Sequence, residues 1–190
     1  MNEDIKVVDN LLPDGYVEAL RQDMTGADFP WVYIDNVTHA GSKGSPGFGH
    51  TVLDVPNQIR SAWLPFFKPL VYHIEAANGV PITELIRIRV GLLLPSDGKT
   101  NEPHIDFTFP HYTACYYVED TEGPTVIYDQ RSDGSMNYIQ AREMAEQGNF
   151  TIACANHPKR NSAVIFDGLR FHASSYPITN KRIVITVNYR

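Results

Sequence analysis

The sequence RIVITVNYR, residues 182–190, alternates between two sets of side chains as a β-strand does. Successive side chains of a strand point to opposite faces, so each set would share one face of a sheet. The apolar set is Ile183, Ile185, Val187 and Tyr189, and the mixed set is Arg182, Val184, Thr186 and Asn188. An arginine in line with small and polar residues inside a barrel needs an anionic partner.

Seven further runs of β-rich sequence precede this strand, with turn residues between them. They are ELIRIRVGLLL (84–94), HIDF (104–107), YTACYYVE (112–119), PTVIYDQ (124–130), FTIACAN (150–156), SAVIF (162–166) and FHASS (171–175). Their regular spacing favours a sandwich or a closed jelly roll, because a doubly wound sheet would need helices between its strands. Residues 131–148, which contain QAREMAEQG, look like a helical or loop insertion.

The first 83 residues predict helices that support this β-rich part. Residues 13–26 and 65–78 carry apolar side chains at helical spacing, and each stretch meets a glycine that is a typical helix end. We therefore expect an α+β fold, mainly β, with N-terminal helices packed on one sheet. A chain of 190 residues fits one domain. We assign residues 1–83 to helical and loop support and residues 84–190 to the jelly-roll core.

The stretch AGSKGSPGFGH, residues 40–50, is rich in glycine and serine and is typical of a loop. Two interpretations stay open for it, a lid over a substrate site and a plain surface connection. It lacks the Gly-Lys-Ser/Thr ending of a phosphate-binding P-loop.

Composition narrows the function classes. The chain is 43% hydrophobic and 20% charged, which is ordinary for a globular protein, and it has no apolar run of the roughly 20 residues that a membrane helix needs. Its first residues do not resemble a secretory signal, so we expect a cytoplasmic protein. The net charge of −6 argues against a broad nucleic-acid surface. Two cysteines in apolar runs are expected to stay reduced. The sequence does not reveal the oligomeric state.

The segment NEPHIDF, residues 101–107, contains a pair of possible metal ligands. His104 and Asp106 are two positions apart, so in an extended segment both side chains would project to the same side. His172, on a later strand, would complete a set of two imidazoles and one carboxylate. That set holds Fe(II) while leaving open coordination positions, and the same three ligands also suit zinc.

Arg182 follows His172 by ten positions and begins the last strand. A guanidinium presents a planar fork that matches a carboxylate, which suits the C5 end of 2-oxoglutarate. Lys181 would point to the opposite face and is the weaker candidate. Arg87 and Arg89 alternate with apolar residues in ELIRIRVGLLL, a pattern that more often marks a solvated sheet face than an anion site.

Together these motifs resemble the Fe(II)/2-oxoglutarate-dependent dioxygenases, in particular their prolyl 4-hydroxylase-like branch and the small oxygenases of phages and bacteria. The resemblance covers residues 84–190 and implies a double-stranded β-helix core. It implies that His104, Asp106 and His172 are the metal ligands and the catalytic centre, and that Fe(II), 2-oxoglutarate and O2 are used. Arg182 would bind the C5 carboxylate of 2-oxoglutarate, Tyr117 would donate its hydroxyl to the same carboxylate, and Thr186 would add a second hydroxyl.

The implied reaction is hydroxylation of an amino-acid side chain with release of succinate and CO2. The expected substrate is a peptide, a protein or a small amino-acid-like molecule, and proline is one candidate side chain. Leu92 and Leu94 stand where this branch often has a tyrosine close to the co-substrate, which predicts a more apolar pocket. Two alternatives stay open: a non-catalytic jelly-roll binding module, and a zinc-dependent hydrolase with the same three ligands.

Overall fold

A computed structural model describes residues 4–38, 46–55, 58–135 and 138–190 of the chain. Within these residues the helices are α1 (Asp14–Thr25), α2 (Leu64–Asn78) and α3 (Tyr138–Glu146). The strands are β1 (Ile5–Asp9), β2 (Val32–Ile34), β3 (Gly47–Asp54), β4 (Gln58–Ile59), β5 (Leu85–Leu93), β6 (Tyr112–Tyr117), β7 (Thr125–Arg131), β8 (Ile152–Asn156), β9 (Ser162–Asp167), β10 (Arg170–Ser174) and β11 (Arg182–Tyr189).

The strands form two antiparallel sheets. The major sheet has the order β1-β9-β6-β11-β5-β3-β2, with β4 paired to β3, and the minor sheet has the order β10-β7-β8. Single bridges from Thr100 to Ser175 and from His104 to His172 attach the segment before β6 to the minor sheet. The non-sequential strand order is that of a jelly roll, so the predicted fold class is confirmed.

Helices α1 and α2 cover one face of the major sheet. Their apolar stripes, which include Leu20, Met24 and Ile74, pack in one core cluster with the apolar set of β11. Each of these fully buried side chains contributes about 1.5–3 kcal/mol of stability relative to exposure. The alternation predicted for β11 is therefore confirmed, and its mixed set is left to face the minor sheet.

The two predicted helices lie within one residue of their expected bounds. Helix α2 begins at Leu64, with Pro65 in the first turn where its missing N–H costs nothing, and it continues through Pro69. It ends at Gly79, whose φ of 73° is the left-handed conformation that glycine adopts without strain. Helix α3 accounts for part of the predicted 131–148 insertion.

Three local expectations differ from the structure. HIDF does not form a strand, because His104 makes a single bridge and the chain bends at Asp106. Of the predicted 40–50 loop, residues 40–45 lie outside the described residues, while Gly47–His50 belong to β3 rather than to a loop. The part of the chain before residue 84 also supplies β1, β2 and β4, which the sequence did not predict, whereas the apolar run after residue 50 is a possible strand from the sequence and belongs to β3.

Glycine at position 47 permits β3 to pair with β5. A Cβ there would lie 2.6 Å from Val37 Cγ1 and 2.9 Å from the Leu92 carbonyl oxygen.

Cys115 and Cys154 are free thiols, as predicted. None of the helices in the described ranges has the length and apolar character needed to cross a bilayer.

Candidate functional site

A cavity of about 100 Å³ lies between the two sheets. This is several times the roughly 10–15 Å³ that a single water molecule needs. Its polar lining comes from several strands and from the segments between them, and it comprises Thr38, Arg87, Arg89, His104, Asp106, Thr125, His172, Ser174, Arg182 and Thr186. The cavity therefore gathers, in one place, charged groups that are far apart in the sequence.

His104, Asp106 and His172 meet at one end of this cavity. Each offers one ligand atom, and the three atoms all lie within 4.8 Å of one another. His172 Nε2 is 3.7 Å from Asp106 Oδ2, and the two imidazole ring centres are 4.6 Å apart. Paired backbone hydrogen bonds between His104 and His172, of 3.0 and 2.9 Å, fix the two residues side by side.

Backbone carbonyls orient both imidazoles. His104 Nδ1 is 3.2 Å from the Glu102 carbonyl oxygen, and His172 Nδ1 is 3.2 Å from the Arg170 carbonyl oxygen. A carbonyl only accepts, so each Nδ1 carries the hydrogen and each neutral ring keeps its lone pair on Nε2. Burial, reinforced by the neighbouring His172, lowers the pKa of His104 to about 3, so this ring is neutral at physiological pH.

Asp106 is held through both of its oxygens. Arg87 donates from Nη2 to Oδ1, and Asn188 donates from Nδ2 to Oδ2 over 2.8 Å. Arg87 Nε also donates to Asn188 Oδ1 over 3.0 Å, which links the two holding residues. Burial by itself would raise the pKa of Asp106, but Arg87 and the two imidazoles outweigh it and keep that pKa below its usual range.

The donor set fits a divalent first-row metal. Two imidazoles and one ionised carboxylate converge from one side, and they leave the cavity side free for other ligands. Iron and zinc both accept these donors, so the three residues alone do not select between them.

Arg182 lies at the other end of the cavity with only 2% of its surface exposed. Its Nε donates to the Gly123 carbonyl oxygen over 3.0 Å, and its Nη2 donates to Thr125 Oγ1 over 2.7 Å. In the described part of the chain no carboxylate lies within ion-pair distance of this guanidinium. Burial therefore lowers the pKa of Arg182 without a compensating carboxylate. Such a group favours an anion in the cavity.

Tyr117 stands behind Thr125 rather than at the cavity wall. Its hydroxyl donates to Thr125 Oγ1 over 2.8 Å, and its ring centre is 5.7 Å from the Arg182 guanidinium carbon. Thr125 Oγ1 thus accepts from both Tyr117 and Arg182, which leaves the Thr125 hydrogen free to donate into the cavity. Tyr116 points to the helix-covered face, as expected for the neighbouring strand position.

The remaining predicted residues have clear positions. Thr186 lines the cavity, whereas Lys181 forms an ion pair with Glu119 over 3.1 Å. Leu93, opposite Arg182 in the β5–β11 register, forms the apolar wall, and Leu94 is 49% exposed. The pocket is therefore apolar here as predicted, although the residue responsible lies between Leu92 and Leu94.

Sequence reasoning missed six polar residues of the site: Thr38, Arg87, Arg89, Thr125, Ser174 and Asn188. The interpretation of Arg87 and Arg89 as a solvated sheet face is wrong, because both line the cavity under the minor sheet. Their spacing of two positions did indicate a shared face. Asn188 was placed correctly on the Arg182 face, but its contact with Asp106 was not anticipated.

Comparison with known proteins supports the fold assignment. No protein-family model and no curated protein matches the sequence. Among solved structures, the epimerase SnoN in complex with Fe3+, alpha ketoglutarate and nogalamycin RO matches 98% of this chain and 78% of its own, with a TM-score of 0.68 and 15% identity. A Pseudomonas putida prolyl-4-hydroxylase matches 100% of this chain and 94% of its own, with a TM-score of 0.60 and 14% identity.

A third match is a Trichoplax adhaerens prolyl hydroxylase in complex with a peptide fragment of a hypoxia inducible factor. It covers 99% of this chain and 84% of that one, with a TM-score of 0.62 and 13% identity. The solved structures that this chain resembles are thus 2-oxoglutarate-Fe(II) oxygenases, prolyl hydroxylases among them. The chain has their double-stranded β-helix fold.

Proposed function

We propose that this chain is an Fe(II)- and 2-oxoglutarate-dependent oxygenase that hydroxylates an amino-acid side chain and releases succinate and CO2. One observation carries the proposal. A single cavity holds a preorganised His-Asp-His set at one end and a buried arginine without a carboxylate partner, among the described residues, at the other. A dicarboxylate that chelates a metal through one end and meets a guanidinium through the other suits both features.

His104, Asp106 and His172 would hold the iron. Their lone pairs and charge are already set by Glu102, Arg170, Arg87 and Asn188, so little reorganisation is needed on binding. Bound iron would supply the activation of O2 coupled to oxidative decarboxylation of 2-oxoglutarate.

Arg182 and Thr125 would bind the C5 carboxylate of 2-oxoglutarate, with Tyr117 holding Thr125 from behind and Thr186 lining the same wall. Leu93 and Val184 cover the neighbouring wall with apolar groups and so exclude water from the charged contact. A charge-assisted contact is stronger in such surroundings than in water.

For the substrate we propose an amino-acid side chain in a peptide, a protein or a small amino-acid-like molecule, with proline as one candidate. Two of the similar structures are prolyl hydroxylases, and one of these is bound to a peptide fragment. The epimerase and the carbocyclase SnoK have the same fold, so the fold by itself does not select the acceptor.

Anaerobic absorption spectroscopy tests the proposal. Addition of Fe(II) and 2-oxoglutarate should give a weak visible charge-transfer band that His104→Ala and His172→Ala each abolish. His73→Ala is the matched control, because His73 lies on α2, which packs against the opposite face of the major sheet. An unchanged spectrum in the unmodified protein, or turnover that needs zinc but not 2-oxoglutarate, would overturn the proposal.

A further inference from the structure

Arg89 is a charged residue of the cavity to which the proposed chemistry assigns no role. It lies on β5 in register with Thr51 of β3 and Thr186 of β11, so it occupies the middle of the major sheet. Its half-buried side chain lines the cavity and also lines an outer groove over β2 and β3. Arg89 therefore stands where the cavity meets the outside.

The Arg89 guanidinium makes no hydrogen bond or ion pair with any residue in the described ranges. The two carboxylates that influence it are Asp106 and Asp54. Asp106 is already bound by Arg87 and Asn188, and Asp54 Oδ1 accepts from the Val55 N–H over 2.9 Å.

The undescribed segments inside the chain, residues 39–45, 56–57 and 136–137, contain no acid. Residues 39–45 read HAGSKGS and residues 56–57 read PN, so neither contains aspartate or glutamate. The one acid outside the described residues is Glu3.

The charges of the cavity lining are unbalanced towards the positive side. Three guanidinium groups face one carboxylate, that of Asp106. Arg87 is matched by Asp106, and in the proposed function Arg182 is matched by 2-oxoglutarate. Arg89 remains unmatched, and both its burial and the repulsion from Arg87 lower its pKa. An anion beside it would relieve both effects.

The guanidinium also borders the groove. Its Nε and Nη2 atoms lie 3.7 Å from the position that a Cβ of Gly49 would take, and Ile34 Cδ1 lies 2.6 Å from the same position, so the lack of a side chain on Gly49 leaves room for both groups. The lining of the groove contains three arginines, Arg60, Arg87 and Arg89, against one carboxylate, that of Asp54, so its charged groups are mainly positive. An anionic molecule is therefore attracted to the groove before it reaches the metal end.

We propose that Arg89 binds a carboxylate of the substrate, so that the substrate of this oxygenase is an acid. The inference rests on the proposed function and narrows its substrate class. The acid is the α-carboxylate of a free amino acid or an acidic side chain within a peptide, and both present the same planar group to the guanidinium fork. Arg87, which touches Asp106, is two positions away on the same face, about 7 Å along the strand. This spacing suits a target carbon a few bonds from the acid group.

Matched acids and amides test the inference. The Fe(II)- and 2-oxoglutarate-loaded protein is given each free L-amino acid and its primary amide, and short peptides containing Asp or Glu beside the same peptides containing Asn or Gln. Succinate release gives kcat/KM, and the anaerobic absorption band reports binding. The variants are Arg89→Gln and Arg89→Lys, with Arg160→Gln as the control because Arg160 lies on the surface in an exposed ion pair with Glu18.

We expect at least one acid to exceed its amide, and Arg89→Gln to lower kcat/KM for that acid by about 10- to 100-fold with little change for the amide. Arg89→Lys keeps the positive charge without the planar fork, so its kcat/KM for the acid should lie between that of the unmodified protein and that of Arg89→Gln. Response to free amino acids or to acidic peptides identifies the source of the carboxylate.

Three outcomes would overturn the inference: equal use of acids and amides, no response from any acid in the panel, and an Arg89→Gln variant that weakens 2-oxoglutarate binding as much as Arg182→Gln does. The last outcome would make Arg89 a co-substrate residue. Failure of the unmodified protein to give the Fe(II)–2-oxoglutarate band would instead refute the proposed function, so the two failures are distinguishable.

Discussion

Arg87 donates from Nη2 to Asp106 Oδ1 across the cavity, and the two side chains are only 17% and 9% exposed. The pair joins strand β5 of the major sheet to the bend after His104. Because Asn188 holds the second oxygen, the carboxylate has one orientation before any metal binds. The planar guanidinium matters as well as its charge, since Nε reaches Asn188 while Nη2 reaches Asp106.

Replacement of Arg87 by lysine separates these two contributions. Arg87→Lys keeps the positive charge but removes the fork, so Asp106 should lose its fixed orientation. We expect Fe(II) affinity to fall by about 10- to 100-fold, as is typical when a residue that orients a metal ligand is lost. Anaerobic Fe(II) titration against a competing chelator measures the change.

Arg190→Lys is the matched control for this experiment. Arg190 forms an exposed pair with Glu84 over 2.6 Å, and such surface pairs contribute little. Equal Fe(II) affinities for Arg87→Lys and Arg190→Lys would contradict the role given to Arg87.

Thr125 connects Tyr117 to Arg182, and its removal should affect the co-substrate rather than the metal. Thr125→Val keeps the shape of the side chain but removes the acceptor of both donors and the hydrogen offered to the cavity. Hydrogen bonds to charged groups contribute about 1.5–3 kcal/mol, so the Kd of 2-oxoglutarate should rise by about tenfold or more. Calorimetric titration of the metal-loaded protein measures this Kd.

Thr25→Val serves as control for Thr125→Val, because Thr25 is exposed and bonds only within α1 to the Arg21 carbonyl oxygen over 2.8 Å. A Thr125→Val protein that binds 2-oxoglutarate as the Thr25→Val protein does would exclude Thr125 from the co-substrate contact.

The sequence predicted the parts of the site that depend on local periodicity. The alternation in residues 182–190 placed Arg182 and Thr186 on the cavity face, and the core packing of Ile183 and Ile185 confirms the other face. The sequence could not show which part of the protein packs against each face of a strand. Arg87 and Arg89 alternate as clearly as Arg182 and Thr186 do, but only the long-range packing of the minor sheet decides that they line a cavity.

Short strands with weak alternation could not be predicted from the sequence either. β1 has the sequence IKVVD, whose two adjacent valines break the alternation, and its place beside β9 depends on a partner more than 150 positions away. The segment HIDF shows the opposite case, because its sequence predicts a strand but only His104 makes a single β-bridge. His104 is fixed by its backbone pairing with His172, and the bend at Asp106 then turns the carboxylate towards the imidazoles.

Tyr16 should give the fold a measurable dependence on alkaline pH. Its hydroxyl donates to the Phe66 carbonyl oxygen over 2.6 Å and links α1 to α2, so Tyr16→Phe should cost about 1 kcal/mol at neutral pH. Burial raises the pKa of Tyr16 to about 12. Below pH 10 the Tyr16 hydroxyl keeps its proton in both the folded and the unfolded protein. Above pH 10 Tyr16 ionises first in the unfolded protein, so its contribution to the free energy of unfolding is lost as pH rises towards 12.

Urea denaturation at several pH values tests this expectation. The stability advantage of the unmodified protein over Tyr16→Phe should be full at pH 7–9 and should shrink between pH 10 and about 12. A difference that stays constant over that interval would show that Tyr16 titrates normally in the folded state. Tyr33→Phe is the control, because Tyr33 is 58% exposed.

Gly123 links the fold to the co-substrate end of the site. A Cβ at this position would lie 2.4 Å from the Ser175 carbonyl oxygen and 3.0 Å from Pro177 N, and both are backbone atoms that cannot rotate away. Gly123→Ala should therefore cost about 1–3 kcal/mol, as overpacking does. The Gly123 carbonyl oxygen accepts from Arg182 Nε, so the displaced backbone should also weaken 2-oxoglutarate binding while Fe(II) binding is retained.

Gly15→Ala is the control, because a Cβ there meets nothing within 4 Å and alanine suits α1, which should gain about 0.4–1 kcal/mol. Denaturation and ligand titrations on both variants should thus give opposite signs in stability and an effect on 2-oxoglutarate for Gly123→Ala alone. A Gly123→Ala protein as stable as Gly15→Ala would mean that the close approach to Ser175 is not present in solution.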